Sequence, residues 1–507
     1  MNDMPVDSNA SLRWSVYWLL IAVSAGTMLG RILAVDSVDN LALEKDRLAK
    51  VAKDLQQKRQ SLEAQGVSGE DLQKELARLE KRWHEHAISR RPFLSANDRS
   101  RWCTVRALVE DDMRVEGAPY AIDKVIEQHN WTTIDMVYHD GHYYSSKPTP
   151  LATLMAAVYW PIYRSTGATL GTHPYEIDRF MLVLFNVVPL VIGLALLAGL
   201  VERFGTTDWG RIFVMAAAAF GTFLTTFAVT INNHLPAAVC AVAAVYAVAR
   251  IWFDEERRLR YFIVAGLFGG LAVANELPAM SLLAVVALVL LWKAPRLTLV
   301  GFAPAVAIVT IAYLGTNWIA HGSLIPAYGH RSGDDNWYNY TIERDGRKID
   351  SYWKDPTGLD RGEPSREVYA YNVLIGHHGI FSLTPVWLLS FLGMGVWLFQ
   401  RGDPRLRWWA AATAAISLAC LAFYLGQSQT SRNYGGNTSG FRWMFWLAPL
   451  WLLTMLPAAD ILASRRWTRG LLLVLLALSV LSASYPTWNP WSHPWLMNFS
   501  EYLGLGM

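Results

Sequence analysis

The chain has 507 residues, of which 53% are hydrophobic and 23 are tryptophan, and its apolar residues fall in long runs separated by short charged segments. This pattern excludes an ordinary soluble domain and predicts an all-α polytopic membrane protein, because runs such as 180–201 reach the length of a spanning helix and lack β-barrel alternation. The net charge of +3 gives no indication of nucleic-acid binding, and three cysteines argue against a disulfide framework.

The first apolar run, residues 14–34, lacks a convincing signal cleavage site, and we interpret it as a retained anchor. A charged stretch with heptad-spaced leucines, a QGVSGED turn and a second apolar helical face follow it. The positions concerned are Leu41, Leu48, Leu55 and Leu62, then Leu72, Leu76, Leu79 and Trp83. They predict a coiled-coil-like helical hairpin at about 40–88, inside an insertion of 35–90, which packs on itself or on a protein partner.

Two shorter helices are predicted between the hairpin and the second long apolar run. Residues 99–116 carry Trp102, Val105, Val109 and Met113 on one face with charged residues opposite, which is typical of a helix in the membrane interface. Residues 150–163 are apolar but short, and the run ends in Pro161 and Arg164. We expect this second helix to dip into the membrane without crossing it.

About eleven spanning helices remain when 150–163 is left out. They lie near 14–34, 180–201, 212–231, 235–253, 260–275, 278–292, 298–319, 376–399, 407–426, 443–462 and 470–486. With the N-terminus in the cytoplasm, the short loops ERFGTTDWGR, DEERRLR, WKAPR, QRGDPRLR and SRRWTR are all cytoplasmic, and each carries at least two basic residues. This agrees with the positive-inside rule, whereas counting 150–163 as a span would place all five loops outside.

The resulting topology puts nearly every unusual polar residue on the extracytoplasmic side of the cytoplasmic (inner) membrane. The predicted units are 1–34, 35–90, 91–178 (the first outer loop with its motifs), 179–319 (spans two to seven), 320–375 (an outer loop), 376–486 (spans eight to eleven) and 487–507 (an outer tail). The cytoplasmic loops are too short to house a nucleotide-binding domain, and no P-loop or similar signature is present in a usable context. Energy for any chemistry must therefore arrive with an activated substrate.

Two outer turns, NNHLPAA at 232 and NELPAM at 275, have similar sequences. One interpretation is helix initiation, with asparagine as the cap and proline in the first turn. The other is that Asn233, His234 and Glu276 face a cavity, because a carboxylate deep in the membrane costs roughly 2.5–3.5 kcal/mol unless it has water or a partner.

Two further outer segments carry candidate anion-binding residues. In RNYGGNTSGFRW, Arg432 and Arg442 flank glycines that allow close approach of the backbone to an anion, although arginines at this depth also snorkel. In GHHGIFSLTP, His377 and His378 lack metal-site spacing but suit hydrogen bonding to phosphate. The aromatic and charged loop 320–375 is either a substrate-facing wall or an ordinary exposed loop.

The first outer loop resembles a known family in residues 93–180. NDRSRWCTVRALVE shortly after the first span, and DGHYYSSKPTPL before the short helix, resemble the first outer loop of GT-C glycosyltransferases. The branch is that of the lipid A aminoarabinose transferases and the bacterial relatives of protein O-mannosyltransferases. GGNTSGFRWMFWLAPLW is similar to a Gly-rich stretch before a late span in several bacterial members.

The resemblance implies a GT-C-like fold and transfer of a sugar, with inversion, from a polyprenyl-phosphate donor to a glycan, lipid or protein acceptor. Asp98 would be the general base and Lys147 would stabilise the leaving phosphate, with help from Arg442. We add Arg432 and His378 as donor-phosphate contacts.

The cavity-facing candidates are His234, Glu276, Tyr144 and Asn233. Arg99 stands where many members have glutamate, and Thr149 displaces a proline, so the resemblance leaves a divalent metal undecided and implies no other cofactor. Two alternatives to an enzyme stay open. One is a transporter or flippase of a lipid-linked or sugar substrate, although its charges would be expected near the bilayer midplane. The other is a scaffold built on the hairpin.

Overall fold

The computed structural model describes residues 9–88, 93–128, 130–331, 335–344, 347–400, 402–486 and 489–504, without the side chains of 36–47, 82, 85–88, 343–344, 347 and 349. Helices dominate these ranges. In chain order they are α1 (Ala10–Ala64), α2 (Gly69–Ile88), α3 (Ala96–Val109), α4 (Asp123–Ile126), α5 (Thr149–Thr166), α6 (Pro174–Leu182), α7 (Val188–Phe204), α8 (Asp208–Phe220), α9 (Phe223–Thr226), α10 (His234–Trp252), α11 (Leu259–Asn275), α12 (Met280–Lys293), α13 (Pro295–Leu297), α14 (Ala303–His321), α15 (Arg366–Leu374), α16 (Ile380–Leu383), α17 (Trp387–Phe399), α18 (Pro404–Leu425), α19 (Ala448–Leu462), α20 (Arg466–Ser484) and α21 (Trp495–Tyr502).

Two β-hairpins stand among the helices. The first pairs β1 (Met136–His139) with β2 (His142–Ser145), and the second pairs β3 (Thr341–Arg344) with β4 (Arg347–Asp350). Asp140 and Gly141 form the first turn with φ of 48° and 85°, the left-handed conformations of a two-residue hairpin turn. This turn sets the register Met136↔Ser145, and Ser146 N continues the ladder by donating to Asp135 O at 3.2 Å.

The described residues contain eight helical segments long and apolar enough to cross a membrane. They are Ala10–Val35, Pro174–Phe204, Asp208–Val229, His234–Trp252, Pro295–His321, Pro404–Leu425, Arg442–Leu462 and Arg466–Ser484, and shorter apolar helices occupy Leu259–Asn275, Leu277–Lys293 and Trp387–Phe399. These positions are compatible with the eleven predicted spans. The protein is therefore a multi-pass, all-α membrane protein.

The predicted anchor and the first arm of the predicted hairpin form one continuous helix at the N-terminus. α1 runs for 55 residues without a break, because no glycine or proline interrupts the sequence between 35 and 64. α2 packs back against it: Leu62 and Leu72 are buried beside the turn, and Leu48, Leu55, Leu76 and Leu79 are partly buried. The side chain of Leu41 lies outside the described residues.

The helix predicted to lie in the membrane interface differs from that expectation. α3 is buried on every face, including Arg99, Arg101 and Arg106. The charges are accommodated because each has a polar partner: Arg106 Nε lies 2.6 Å from Glu110 Oε2, and Arg99 Nη1 donates to Thr132 O at 3.1 Å. The amphipathic sequence therefore forms a helix that is enclosed by protein, not one that lies in the membrane interface.

The loops predicted to be cytoplasmic meet at one end of the helical bundle. Arg250 and Arg203 both pair with Asp254, and Lys293 Nζ lies 2.6 Å from Glu255 Oε1. Arg405 from a fourth loop donates to the carbonyl of Trp252. Because α10 is 19 residues or roughly 28 Å long, its first residues lie at the far end of the bundle from this ionic cluster.

Asp460 ties the end of α19 to the start of α8, and it supplies a test of this packing. Its carboxylate accepts hydrogen bonds from Thr206 N at 2.8 Å and from Thr207 N at 2.9 Å. We expect Asp460→Ala to lower the free energy of unfolding by about 1.5–3 kcal/mol, because backbone donors lose a charged acceptor. Thermal unfolding in detergent measures this, with the exposed Asp112→Ala as control; equal melting temperatures for the two variants would contradict the packing.

Candidate active site

A cavity of about 740 Å³ lies at the end of the bundle opposite the ionic cluster. Its wall is assembled from the start of α3, the segment after β2, the turns before α10 and after α11, the loop following α14, and the segment between α18 and α19. Five of the residues predicted from sequence are on this wall: Lys147, Asn233, His234, Glu276 and Arg442. The volume is within the usual range for small-molecule sites.

Arg442, His234 and Glu276 form a connected chain of polar contacts on the wall. Arg442 Nη1 lies 2.5 Å from His234 Nε2, and His234 Nδ1 lies 2.5 Å from Glu276 Oε1. A guanidinium only donates, so His234 Nε2 accepts and the imidazole proton is on Nδ1, facing the carboxylate. All three residues are buried, and this series of contacts fixes Arg442 in one position.

Asn233, in the turn before α10, links α3 to the turn after α11. Its side-chain oxygen accepts from Arg101 Nη2, and its amide donates to the carbonyl of Asn275 at 3.1 Å. Arg101 Nη1 also donates to Asn97 Oδ1 at 2.6 Å. Burial lowers the pKa of Arg101 to about 10, and the negative charges of Asp98, Asp135 and Glu276 oppose the shift. Arg101 therefore presents a fixed positive charge to the cavity.

Lys147 forms an ion pair with Asp135 beside these arginines. Lys147 Nζ lies 2.8 Å from Asp135 Oδ1, and both side chains retain a small exposure of 16% and 14%. Burial lowers the pKa of Lys147 to about 8, and Asp135 partly offsets this effect. Lys147 is thus charged at neutral pH but close to its titration range.

The Gly-rich segment after α18 positions Arg442 by its backbone. Gly435 has a φ of 92°, and its carbonyl accepts from Arg442 Nη2 at 2.8 Å. A Cβ at this glycine would lie 3.0 Å from Arg442 Nε. The glycine was predicted to bring backbone amides to an anion, whereas in the structure its carbonyl orients the arginine.

The loop after α14 contributes to the cavity, which favours the substrate-facing interpretation of 320–375. Arg331 lies over the rings of Trp353 and Tyr338, at 4.5 and 5.3 Å from the ring centroids. Asp360 accepts from Tyr352 OH at 2.9 Å and from Asn433 Nδ2 at 3.1 Å. Burial raises the pKa of Asp360.

Asp98, the predicted general base, is placed differently. Its Oδ1 accepts from Trp102 Nε1 at 3.0 Å and from Ile231 N at 3.2 Å, and its side chain is buried. Burial raises the pKa of Asp98 to about 6, against a hydrogen bond from Thr230 and the charge of Arg101. Within the described part of the chain, Ser95, Ala96 and Asn97 reach the cavity wall but Asp98 does not.

Three other residues that were predicted to contact substrate also lie away from the cavity wall, as the described residues define it. Arg432 donates to the carbonyls of Glu363 and Pro364 at 2.8 and 2.7 Å, so its guanidinium holds two loops together. His378 is fully buried and stacks on Tyr434. Tyr144 lies behind Lys147, with its ring centroid 6.0 Å from that of His321. The contacts of Arg432, His378 and Tyr144 indicate that these residues stabilise the structure around the site.

The cavity also contains charged residues that the sequence reasoning missed, chiefly Arg101, Asp135, Arg331 and Asp360. For Asp135 a signal was present. The Asp-Gly turn at 140–141 fixes the hairpin register, which places residue 135 opposite 146 and beside Lys147. For Arg331 and Asp360 we find no comparable local pattern.

Metal binding finds little support in the arrangement of the described residues. They include no group of three or more His, Cys, Asp or Glu side chains that could hold an ion. Asp178 lies close enough to Asp98 for their charges to repel, but this is a pair only. The chemistry below is therefore derived from the side chains alone.

Comparison with known proteins gives few similarities. No family model and no curated protein matches the chain. The Archaeoglobus fulgidus oligosaccharyltransferase in its apo form matches with a TM-score of 0.38 and 13% identity, over 78% of this chain and 52% of that chain. Its complex with zinc and sulfate matches with a TM-score of 0.37 and 14% identity, over 79% of this chain and 53% of that chain. The AglB complex from the same organism, with an inhibitory peptide and a dolichol-phosphate, matches with a TM-score of 0.38 and 12% identity, over 78% of this chain and 51% of that chain.

The chain spans about half the length of these solved structures. TM-scores this low do not determine the fold family or the activity.

The lowered pKa of Lys147 predicts pH-dependent anion binding. We expect the affinity for sulfate, whose charge stays constant here, to fall roughly tenfold between about pH 7 and pH 9 as Lys147 loses its proton. Lys147→Arg should remove this dependence, because a guanidinium stays protonated. Isothermal titration of both proteins measures the effect; the same pH dependence in Lys147→Arg would assign it to another group.

Gly435 gives a second test of the site. We expect Gly435→Ala to weaken sulfate binding about tenfold, because the new Cβ displaces Arg442 and a non-glycine residue is strained at this φ. Gly167→Ala is the matched control, since Gly167 has a φ of 70° but open space around its Cβ position. An equal effect of the two substitutions on binding would show that Gly435 does not orient Arg442.

Proposed function

We propose that the protein is a GT-C-type membrane glycosyltransferase that moves a sugar from a polyprenyl-phosphate-linked donor to an acceptor on the extracytoplasmic face of the inner membrane. The observation that carries this proposal is the cluster of Arg101, Lys147 and Arg442 on the wall of one cavity at the end of the helical bundle. Three cations gathered on the wall of one cavity repel one another, which makes the cavity a favourable place for an anion.

The donor is proposed to be lipid-linked because of the position of the cavity. It lies at the end of the bundle away from the basic loops, which the positive-inside rule assigns to the cytoplasm. Soluble nucleotide sugars are cytoplasmic, and the cytoplasmic loops are short. A sugar carried on a membrane lipid phosphate is then the activated donor that reaches this side.

The cations suit the charge that develops during such a transfer. A sugar linked to a lipid phosphate is a phosphodiester with one negative charge, and cleavage leaves a phosphate monoester with a second. Lys147 and Arg442 are held in place before the reaction by Asp135, His234 and Gly435. Pre-organised donors of this kind typically contribute about 10²–10³-fold in rate.

The acceptor is proposed to enter from the side formed by the loop after α14. Trp353 and Tyr338 supply aromatic surface at the cavity, with Arg331 over their rings, and Asp360 and Asn433 supply polar groups on the same wall. Such a surface suits a sugar or another hydroxyl-bearing acceptor. The acceptor's class, whether glycan, lipid or protein, stays open.

The predicted role of Asp98 as general base stays a prediction. Its raised pKa suits a base, but its hydrogen bonds with Trp102 and Ile231 hold it behind the wall. Catalytic hydrogen bonds often rearrange when substrate binds, so substitution is needed to decide its role. Arg432 and His378 are proposed to act on the donor phosphate only through the loops they support.

The function can be tested in cells with and without the intact protein. We expect mass spectrometry of the glycolipid, glycan and glycoprotein pools to show one sugar modification that is lost without the protein. Lys147→Ala should lower that modification at least 100-fold, because the leaving phosphate loses its cation. Lys124→Ala, an exposed lysine of the same outer loop, is the control and should leave it unchanged.

Two outcomes would contradict the proposal. Unaltered sugar pools in cells lacking the protein would exclude transfer of a sugar. Movement of an intact lipid-linked sugar across vesicles, without chemical change, would indicate a transporter or flippase.

A further inference from the structure

Asp135 lies on the cavity wall next to Lys147. It immediately precedes β1, and the hairpin register brings it next to Lys147 across the ladder. Its main chain is fixed on both sides, since Ser100 Oγ donates to its carbonyl at 2.5 Å and its N–H donates to Thr133 Oγ1 at 3.1 Å. The carboxylate is therefore held at the wall by a rigid segment.

The described residues place two other carboxylates at the cavity, Glu276 and Asp360. Glu276 lies against His234, and Asp360 accepts two hydrogen bonds, from Tyr352 and Asn433. Asp135 Oδ1 accepts from Lys147, and in the described ranges no hydrogen bond reaches its Oδ2. Oδ2 is thus a free acceptor at the cavity, next to the cation proposed to hold the donor phosphate.

We propose that Asp135 is the general base of the transfer and that binding of the donor phosphate activates it by drawing Lys147 away. This inference rests on the proposed function. The acceptor's oxygen or nitrogen forms a bond to the anomeric carbon while the bond from that carbon to the phosphate oxygen breaks. The electron pair leaves with the lipid phosphate, and the acceptor's proton passes to Asp135.

The ion pair couples the two events. While Lys147 is bonded to Asp135, its ammonium group occupies one oxygen of the carboxylate. As the phosphate gains negative charge it attracts the ammonium more strongly, so Asp135 loses its cation at the moment when it has to accept a proton. A carboxylate held near the acceptor is suited to this task.

The inference predicts opposite effects of Asp135→Asn on transfer and on binding. We expect transfer to fall by about 10²–10⁴-fold, because the base is lost. Affinity for polyprenyl phosphate should be unchanged or up to about tenfold higher, because Lys147 no longer has a competing anion. Binding is measured with polyprenyl phosphate on the full-length protein in nanodiscs. Transfer is measured in membranes as the sugar-bearing product identified in the comparison of cells with and without the protein.

Three results would overturn it. Transfer by Asp135→Asn within about threefold of the unaltered protein would exclude Asp135 as the base. Loss of transfer in proportion to loss of polyprenyl phosphate binding would show that Asp135 only positions Lys147. The base would be Asp98 if Asp98→Asn lost transfer at unchanged lipid affinity while Asp135→Asn stayed active.

A second variant covers failure of Asp135→Asn to fold. Asp135→Glu keeps a carboxylate but displaces it, so transfer should lie between that of the unaltered protein and that of Asp135→Asn, with unchanged lipid affinity. Transfer equal to the unaltered protein would overturn the inference. The proposed function fails separately, when the unaltered protein neither forms a sugar-bearing product nor binds polyprenyl phosphate.

Discussion

A cation buried in protein requires a partner, and this constraint organises the whole cavity. Lys147 has Asp135, Arg101 has Asn97 and Asn233, and Arg442 has His234 and the carbonyl of Gly435. The hairpin supplies Asp135, the turn before α10 supplies both Asn233 and His234, and the Gly-rich segment supplies the carbonyl of Gly435. These elements therefore position the partners of the three cations.

The partners differ in how firmly they hold their cation. Arg442 is buried and held by His234 and the carbonyl of Gly435, so its charge stays in one position at the cavity wall. Lys147 is held by a single carboxylate and stays partly exposed, so an incoming phosphate can compete for it. A site with two fixed arginines and one exchangeable lysine can bind an anion and respond to it. The proposed activation of Asp135 depends on that difference.

Hydropathy was sufficient to predict a multi-pass helical membrane protein, because the cost of burying polar groups in lipid acts on every residue of a segment. It was insufficient for α3, whose arginines are enclosed by protein instead of facing outward. Asn233, His234 and Glu276 were predicted to face a cavity because polar groups at the helix ends of a membrane protein are costly without water or a partner. Lys147 was predicted from the resemblance of its motif, and Arg442 from its place beside the glycines.

The roles of the remaining site residues depend on tertiary contacts, which a sequence pattern does not reveal. Arg432 has the same local setting as Arg442, and only the approach of the 363–364 carbonyls distinguishes their roles. Asp98 and Asn97 are neighbours on α3, and the orientation of one helix decides which of them reaches the cavity. Asp135 was within reach of the sequence through the register of its hairpin.

A cryo-electron microscopy structure of the protein with polyprenyl phosphate tests the central claim most directly. The account predicts density for the phosphate within hydrogen-bonding distance of Lys147 and Arg442, with the Lys147–Asp135 bond broken or lengthened and Asp135 open to the cavity. Phosphate density elsewhere on the protein, or a cavity that stays empty while the Lys147–Asp135 pair is intact, would contradict it.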